Sequence, residues 1–163
     1  MMQQFGKPIN EVRDNLFGLF PMEARNEMIR KVDRIQIEML KADPPPAFEG
    51  TEETLKYLRD QGCKLFIVSN CEAGYIPTML ECTGLGSYFT DTIAYADTGM
   101  LKADNIKLMI ERHHLRNPVY VGDTLGDEIA THKVGIPFYY AAYGFGECEH
   151  PEQILQSFRD LCE

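Results

Sequence analysis

The sequence has no paired cysteine motif. Its five cysteines, Cys63, Cys71, Cys82, Cys148 and Cys162, are odd in number and nowhere spaced as CxxC. That argues against a disulfide framework or a zinc site and makes a reducing cytoplasm the natural compartment. Long apolar runs are missing too: none approaches the roughly 20 residues a membrane span needs. The start, Met1 to Lys7, lacks the charged region and apolar core of a signal peptide. Positive charge is scarce, with 16 Lys and Arg against 25 Asp and Glu and a formal net charge of -9. Nucleic-acid binding through a basic face is therefore disfavoured. There is no internal repeat and no low-complexity tract, and Pro44-Pro45-Pro46 is the one compositional break.

What remains is ordinary for a globular chain: 163 residues, 44% of them apolar. That length suits one domain, or one domain with a small appendage. Residues 1 to 43 read as helical. Ile9, Val12, Leu16 and Phe17 form a short amphipathic pattern stopped by Gly18. Pro21 can open a second helix reaching about Lys41. Met28, Ile29, Val32, Ile35, Met39 and Leu40 lie on it at three- and four-residue intervals, a single apolar stripe. The three prolines cannot continue that helix. A boundary is expected there, with residues 1–46 a helical part and 47–163 an α/β core.

From Phe48 the pattern alternates. Thr51 is an N-cap candidate for a helix ending at Gly62. Lys64 to Val68 reads as a strand ending in Ser69-Asn70, and Tyr75 to Cys82 as a helix closed near Gly84. Thr92 to Tyr95 is a short strand. Lys102 falls in a loop before a helix from about Asp104 to His113. Val119 to Val121 is a buried strand ending abruptly in Gly122-Asp123, followed by a helix from Asp127 to Val134. Pro137 to Ala141 is a further strand, Tyr143-Gly144-Phe145-Gly146 a loop, and Pro151 to Leu161 a closing helix. Strands alternating with helices predict a parallel sheet covered on both faces.

The polar residues cluster at strand ends, where open α/β folds place their ligands. A hydroxyl and an amide, Ser69 and Asn70, can donate to phosphoryl oxygens. Lys102 offers a point positive charge. Asp123 and Asp127, four apart at a strand-to-helix turn, are hard ligands suited to Mg²⁺. Each has an ordinary alternative: Ser69, Asn70 and Asp123 as helix caps, Lys102 and Asp127 as solvated charges. The ordered set is what suits phosphoryl transfer.

In that order, Ile67-Val68-Ser69-Asn70, Gly99-Met100-Leu101-Lys102 and Val121-Gly122-Asp123-Thr124-Leu125-Gly126-Asp127 resemble the second, third and fourth motifs of the haloacid dehalogenase superfamily. Within it the chain is most similar to the phosphoglycolate-phosphatase and β-phosphoglucomutase branch. The resemblance implies a Rossmann-like parallel sheet with helices on both faces and a partial helical cap. It implies that Ser69 and Asn70 bind the phosphoryl group and that Lys102 stabilises its negative charge. It makes Asp123 a Mg²⁺ ligand and Asp127 a support for the metal shell or for Lys102. The substrate implied is a small phosphorylated metabolite, hydrolysed through an aspartyl-phosphate.

The family's first motif, an apolar strand followed by DxD, is not found in these 163 residues. It would supply the nucleophile. Asp14, Asp33 and Asp43 lie in helical or linker sequence, and Cys71 reads as a buried or inert thiol. In the family that first strand lies between the strands assigned here at Lys64–Val68 and Val119–Val121. A chain without it must pair those two directly, leave a slot or borrow a strand. A bare slot is disfavoured, because unpaired buried backbone groups are costly. Strand borrowing would make a homo-oligomer. Part of the Met28–Leu40 stripe is expected to be exposed. A start at an internal methionine of a longer protein is the simplest account, and a natural truncated relative the second. Two functions stay open: a phosphatase whose nucleophile lies outside this sequence, and a catalytically inactive module with a scaffold or weak phosphate- and metal-binding role. A receiver domain fits poorly, because its lysine follows the phospho-accepting aspartate whereas Lys102 precedes Asp123.

Overall fold

The computed structural model of the chain describes residues 7–162. The first six residues of the expected helical segment lie outside the described residues. The chain opens with a helical hairpin. Helix α1 spans Ile9–Phe17 and ends at Gly18; helix α2 spans Met22–Ala42 with Pro21 at its N-cap. Ion pairs hold the hairpin: one Arg13 nitrogen reaches both Asp33 oxygens at 2.5 and 2.6 Å, and Arg25 pairs with Asp14. The α2 stripe is only partly covered. Leu40 is buried where α2 meets the core, while Val32, Ile35 and Met39 are exposed.

The α/β part follows the expected alternation. Helix α3 is Thr51–Asp60, and its N-cap is Gly50, at φ 78°, with Thr51 one place inside. Arg159 packs where a Gly50 side chain would sit. Strand β1 (Leu65–Ser69) pairs in parallel with β2 (Phe89–Ala94), Ile67 opposite Thr92. Between them runs α4 (Tyr75–Thr83), closed by Gly84 in the left-handed conformation. A single turn, α5 (Tyr95–Thr98), leads to α6 (Lys102–His113). Strand β3 (Tyr120–Gly122), helix α7 (Leu125–Val134) and strand β4 (Phe138–Ala141) follow. The β-branched and aromatic content of these short runs suits half-buried pleated positions. Ala103, Ile106 and Ala130 form a core between α6 and α7, with Val68, Ile110, Tyr120, Val134 and Ile136 packed on it.

Three expectations need correction. Pro151 to Leu161 is not a helix. It contains β5 (Gln153–Leu155), parallel to β4 with Tyr140 opposite Ile154, and then a 3-10 turn at Phe158–Cys162. Leu155 is fully buried there, so tertiary packing overrides the local helical pattern. Lys102 is the first residue of α6 and not a loop residue. The turn before it is fixed by the buried Asn105, which donates to the Met100 carbonyl and accepts from Thr98.

The third concerns the sheet. Among the described residues, β1 and β3 share no ladder: the parallel sheet is split into β1-β2 and β3-β4-β5. The slot judged too costly is present. Tyr120 offsets part of its cost from β3, its hydroxyl donating to the Val68 carbonyl of β1 at 2.8 Å. A side chain stands in for one backbone hydrogen bond across the gap.

Candidate active site

The site is built at the two strand ends that flank this slot. At the end of β3 the backbone turns through Gly122 because nothing larger fits: a Cβ there would lie 2.6 Å from the Asp127 Cβ. Thr124, not Asp123, is the N-cap of α7, in a reciprocal capping box with Asp127. One Asp127 oxygen accepts from the Thr124 amide at 3.0 Å, its hydroxyl at 2.7 Å and the Asp123 amide at 3.3 Å. The other oxygen faces the Lys102 ammonium. This pair is deeply buried, with side-chain exposures of 11% for Lys102 and 5% for Asp127.

Tyr120 ties the two half-sheets together, and Lys102 faces it. The Lys102 ammonium lies 5.8 Å from the centre of the Tyr120 ring, and the Tyr120 hydroxyl bonds Val68, the neighbour of Ser69. Burial alone would push the Lys102 pKa down, but the facing Tyr120 and Asp127 outweigh it and hold it above the usual lysine value. Burial pushes the Tyr120 phenol up to about 12 against the opposing pull of Lys102. At neutral pH the centre therefore holds an ammonium and a neutral phenol.

At the end of β1, Ser69 pairs opposite Ala94, and the Asn70 carbonyl accepts from the Ile9 amide at 3.1 Å. That bond sets the start of α1 against the strand end. The Ser69 hydroxyl contacts the Cys71 thiol, whose pKa burial raises, which disfavours a thiolate there. Asp14 and Asp33, ahead of β1, are engaged by Arg25 and Arg13.

Asp123 sits under the Tyr143–Gly146 loop. One of its oxygens accepts from the Phe145 amide at 2.8 Å. A Cβ on Gly144 would lie 2.3 Å from the Asp123 Cβ, and one on Gly146 would lie 2.5 Å from the Asp123 carbonyl oxygen. Both glycines are needed for this close approach. Among the described residues no group of three His, Cys, Asp or Glu converges as a metal cage. Both Asp127 oxygens are in use, whereas the side-chain hydrogen bond of Asp123 engages one oxygen alone. One carboxylate fits Mg²⁺ in the form that keeps several waters and shares a phosphate group, not an all-protein site.

The sequence reading missed three residues. Tyr120 was read only as strand filler. Glu72 lies two residues beyond Asn70 and is buried. Glu128, also buried, accepts from the Glu149 and His150 amides at 2.7 and 2.8 Å and pins the segment before β5. Neither acid stands out in the sequence, because the burial of both comes from tertiary packing.

A parallel α/β sheet with a lysine and an aspartate held at its strand ends defines a Rossmann-like α/β class. The family model for haloacid dehalogenase-like hydrolase matches residues 2–141, and the chain belongs to that family. It is similar to the phosphoglycolate phosphatase of Photobacterium profundum, 27% identical over 128 residues, covering 71% of this chain and 55% of the relative. The phosphoglycolate phosphatase of Vibrio vulnificus strain CMCP6 is 29% identical over 118 residues, covering 70% and 50%. The chain thus spans about half the length of these curated relatives. In fold it resembles a HAD phosphatase from Thermococcus onnurineus, with a TM-score of 0.69 at 23% identity, covering 98% of this chain and 87% of that one. A predicted phosphatase from Clostridium acetobutylicum gives a TM-score of 0.78 at 23% identity, with 98% and 77% covered.

Proposed function

We propose that the chain carries the phosphoryl-binding half of a Mg²⁺-dependent phosphatase acting on a small phosphorylated metabolite in the cytoplasm. The observation that carries this reading is the buried Lys102–Asp127 pair, linked through Tyr120 to the Val68–Ser69 end of β1. Ser69 and Asn70 hold the phosphoryl oxygens by hydrogen bonds. Lys102, kept protonated, offsets their charge. Asp127 positions Lys102 and caps α7. Asp123 would hold the magnesium ion, which when bound neutralises negative charge on the transferring group. Residues 1–46 act as a partial cap over the 47–163 core and shape what enters. The phosphatase names of the relatives support this reading.

The acceptor of an aspartyl-phosphate is not among the described site residues. Asp14 and Asp33 are ion-paired in the hairpin, and Asp123 and Asp127 follow β3. The split sheet therefore favours a second reading: a catalytically inactive module that binds phosphate and metal weakly. In either case the slot between β1 and β3 is where strand exchange with a second copy would build a homo-oligomer.

The test is Mg²⁺-dependent hydrolysis of p-nitrophenyl phosphate, with titration calorimetry of Mg²⁺ and inorganic phosphate and Asp123→Asn as control. Turnover lost in the control supports the phosphatase. Phosphate and Mg²⁺ binding without turnover supports the module. A folded chain that binds neither refutes both.

A further inference from the structure

Glu128 is 3% exposed and follows Asp127 in the first turn of α7. A buried carboxyl is costly unless its oxygens are hydrogen-bonded. Here each oxygen accepts one backbone amide, Oε2 from Glu149 at 2.7 Å and Oε1 from His150 at 2.8 Å. Both donors belong to the connection between β4 and β5, not to α7 itself. The Cys148 thiol faces the same carboxyl. Burial first, then Glu128, Asp127 and Asp123, push its pKa up to about 12, so it stays a thiol. Three consecutive residues, 148 to 150, are thus gathered around one side chain. The same connection lies on Asp123. Phe145 donates its amide to one Asp123 oxygen at 2.8 Å, and a Cβ on Gly144 or Gly146 would collide with Asp123. The start of the connection is held by Tyr143, whose ring packs edge-on against Phe48 at 5.0 Å. Its middle is held by Tyr140, whose hydroxyl donates to the Gly146 carbonyl at 2.7 Å. Glu128 supplies the hold beyond Gly146.

We infer that Glu128 is a positioning residue: by fastening Glu149 and His150 to the head of α7 it keeps the Phe145 amide on Asp123 and so aims the other Asp123 oxygen at the magnesium ion. The inference rests on the phosphatase reading above, in which Asp123 holds that ion. Hydrogen-bond partners that orient a ligating carboxylate are commonly worth about 10–100-fold in metal affinity. Glu128 acts one step behind such a partner, the Phe145 amide, so the lower end of that range is expected.

The experiment compares wild type, Glu128→Gln and Asp123→Asn by calorimetry with Mg²⁺ alone and by amide hydrogen exchange of the metal-free chain. Glu128→Gln keeps the shape, but its side-chain NH₂ meets a backbone N–H where an acceptor stood. It is expected to weaken Mg²⁺ binding about tenfold. It should also speed exchange of the Phe145 amide several-fold, while amides of the β1–β2 ladder keep their wild-type rates. A purely structural role for Glu128 would instead speed exchange throughout the chain, or leave Mg²⁺ affinity at the wild-type value below the melting temperature. Either result overturns the inference while Asp123→Asn still weakens Mg²⁺ binding. A wild type that binds no Mg²⁺, or an Asp123→Asn variant that binds it as wild type does, overturns the phosphatase reading and the inference with it. If Glu128→Gln does not fold, Glu128→Asp, which draws the carboxyl back by one methylene, takes its place with the same expectations.

Discussion

The Lys102–Asp127 pair can be tested for stability without any turnover. With 11% and 5% of the side chains exposed, both charges are effectively out of water. Removing one partner of a buried pair costs about 3–5 kcal/mol, because the other charge is left uncompensated. The surroundings make the two sides unequal. Asp127 retains three donors from Thr124 and Asp123 when Lys102 is gone. Lys102 loses its only carboxylate among the described ion pairs when Asp127 is changed. Lys102→Met should therefore fall near the bottom of the range or below it, at about 2–3 kcal/mol. Asp127→Asn should fall inside it, at about 3–5 kcal/mol, and it turns an amide donor towards the ammonium. For a chain of this size each kcal/mol shifts the melting temperature by about 2–4 °C, so the single variants separate from wild type by several degrees. The double variant removes both charges and should be no less stable than Asp127→Asn alone, a coupling of roughly 2 kcal/mol or more. Urea melts followed by circular dichroism measure all four proteins. Additive losses would refute the reasoning, since they would mean that the two side chains do not share a desolvated pair.

Tyr120→Phe removes the one hydroxyl that reaches from β3 to the Val68 carbonyl, and should cost about 1–3 kcal/mol in urea melts; a neutral effect would mean that the carbonyl finds water in the slot. Gly144→Ala places a methyl 2.3 Å from the Asp123 Cβ, so it should weaken Mg²⁺ binding in calorimetry while the fold persists, and unchanged affinity would remove the loop from the site. The Glu72 carboxyl gives a pH signature. Its folded-state pKa lies above the ordinary value of 4.5, so the folded chain binds more protons than the unfolded one across that window. Stability should therefore fall as pH rises from about 4.5 through the raised value, relative to Glu72→Gln, which should be the more stable protein at pH 7. Equal melting temperatures of the two proteins throughout that window would show that the carboxyl is solvated.

How far the sequence could be read depended on how local each determinant is. The strand ends were legible because Gly122 and the Asp123–Asp127 spacing announce a sharp turn into a helix, and the turn needs that glycine for a clearance set by Asp127 in the next turn of the chain. The end of α4 at Gly84 was legible for the same reason, one left-handed residue stopping a short helix. The C-terminal strand was not. Nothing in Gln153-Ile154-Leu155 separates a strand from a helical turn until Phe138–Ala141 is beside it and Leu155 is buried. Lys102 shows the intermediate case: its motif marked it as a site residue, but its place at the head of α6 is set by Asn105 reaching back to Met100. The slot was judged from backbone cost alone, and that judgement left out side chains. Tyr120 is 52 residues from Val68, yet its hydroxyl does locally what a neighbouring strand would do. The same residue also faces Lys102, so the group that tempers the split in the sheet helps to hold the cation of the site. Glu72 belongs with it. A single acid between Cys71 and Ala73 looks like loop surface until the hairpin closes over it. The residues that sequence pattern finds are those that build the strand ends, and the residues it misses are those that join separate pieces of the chain across them.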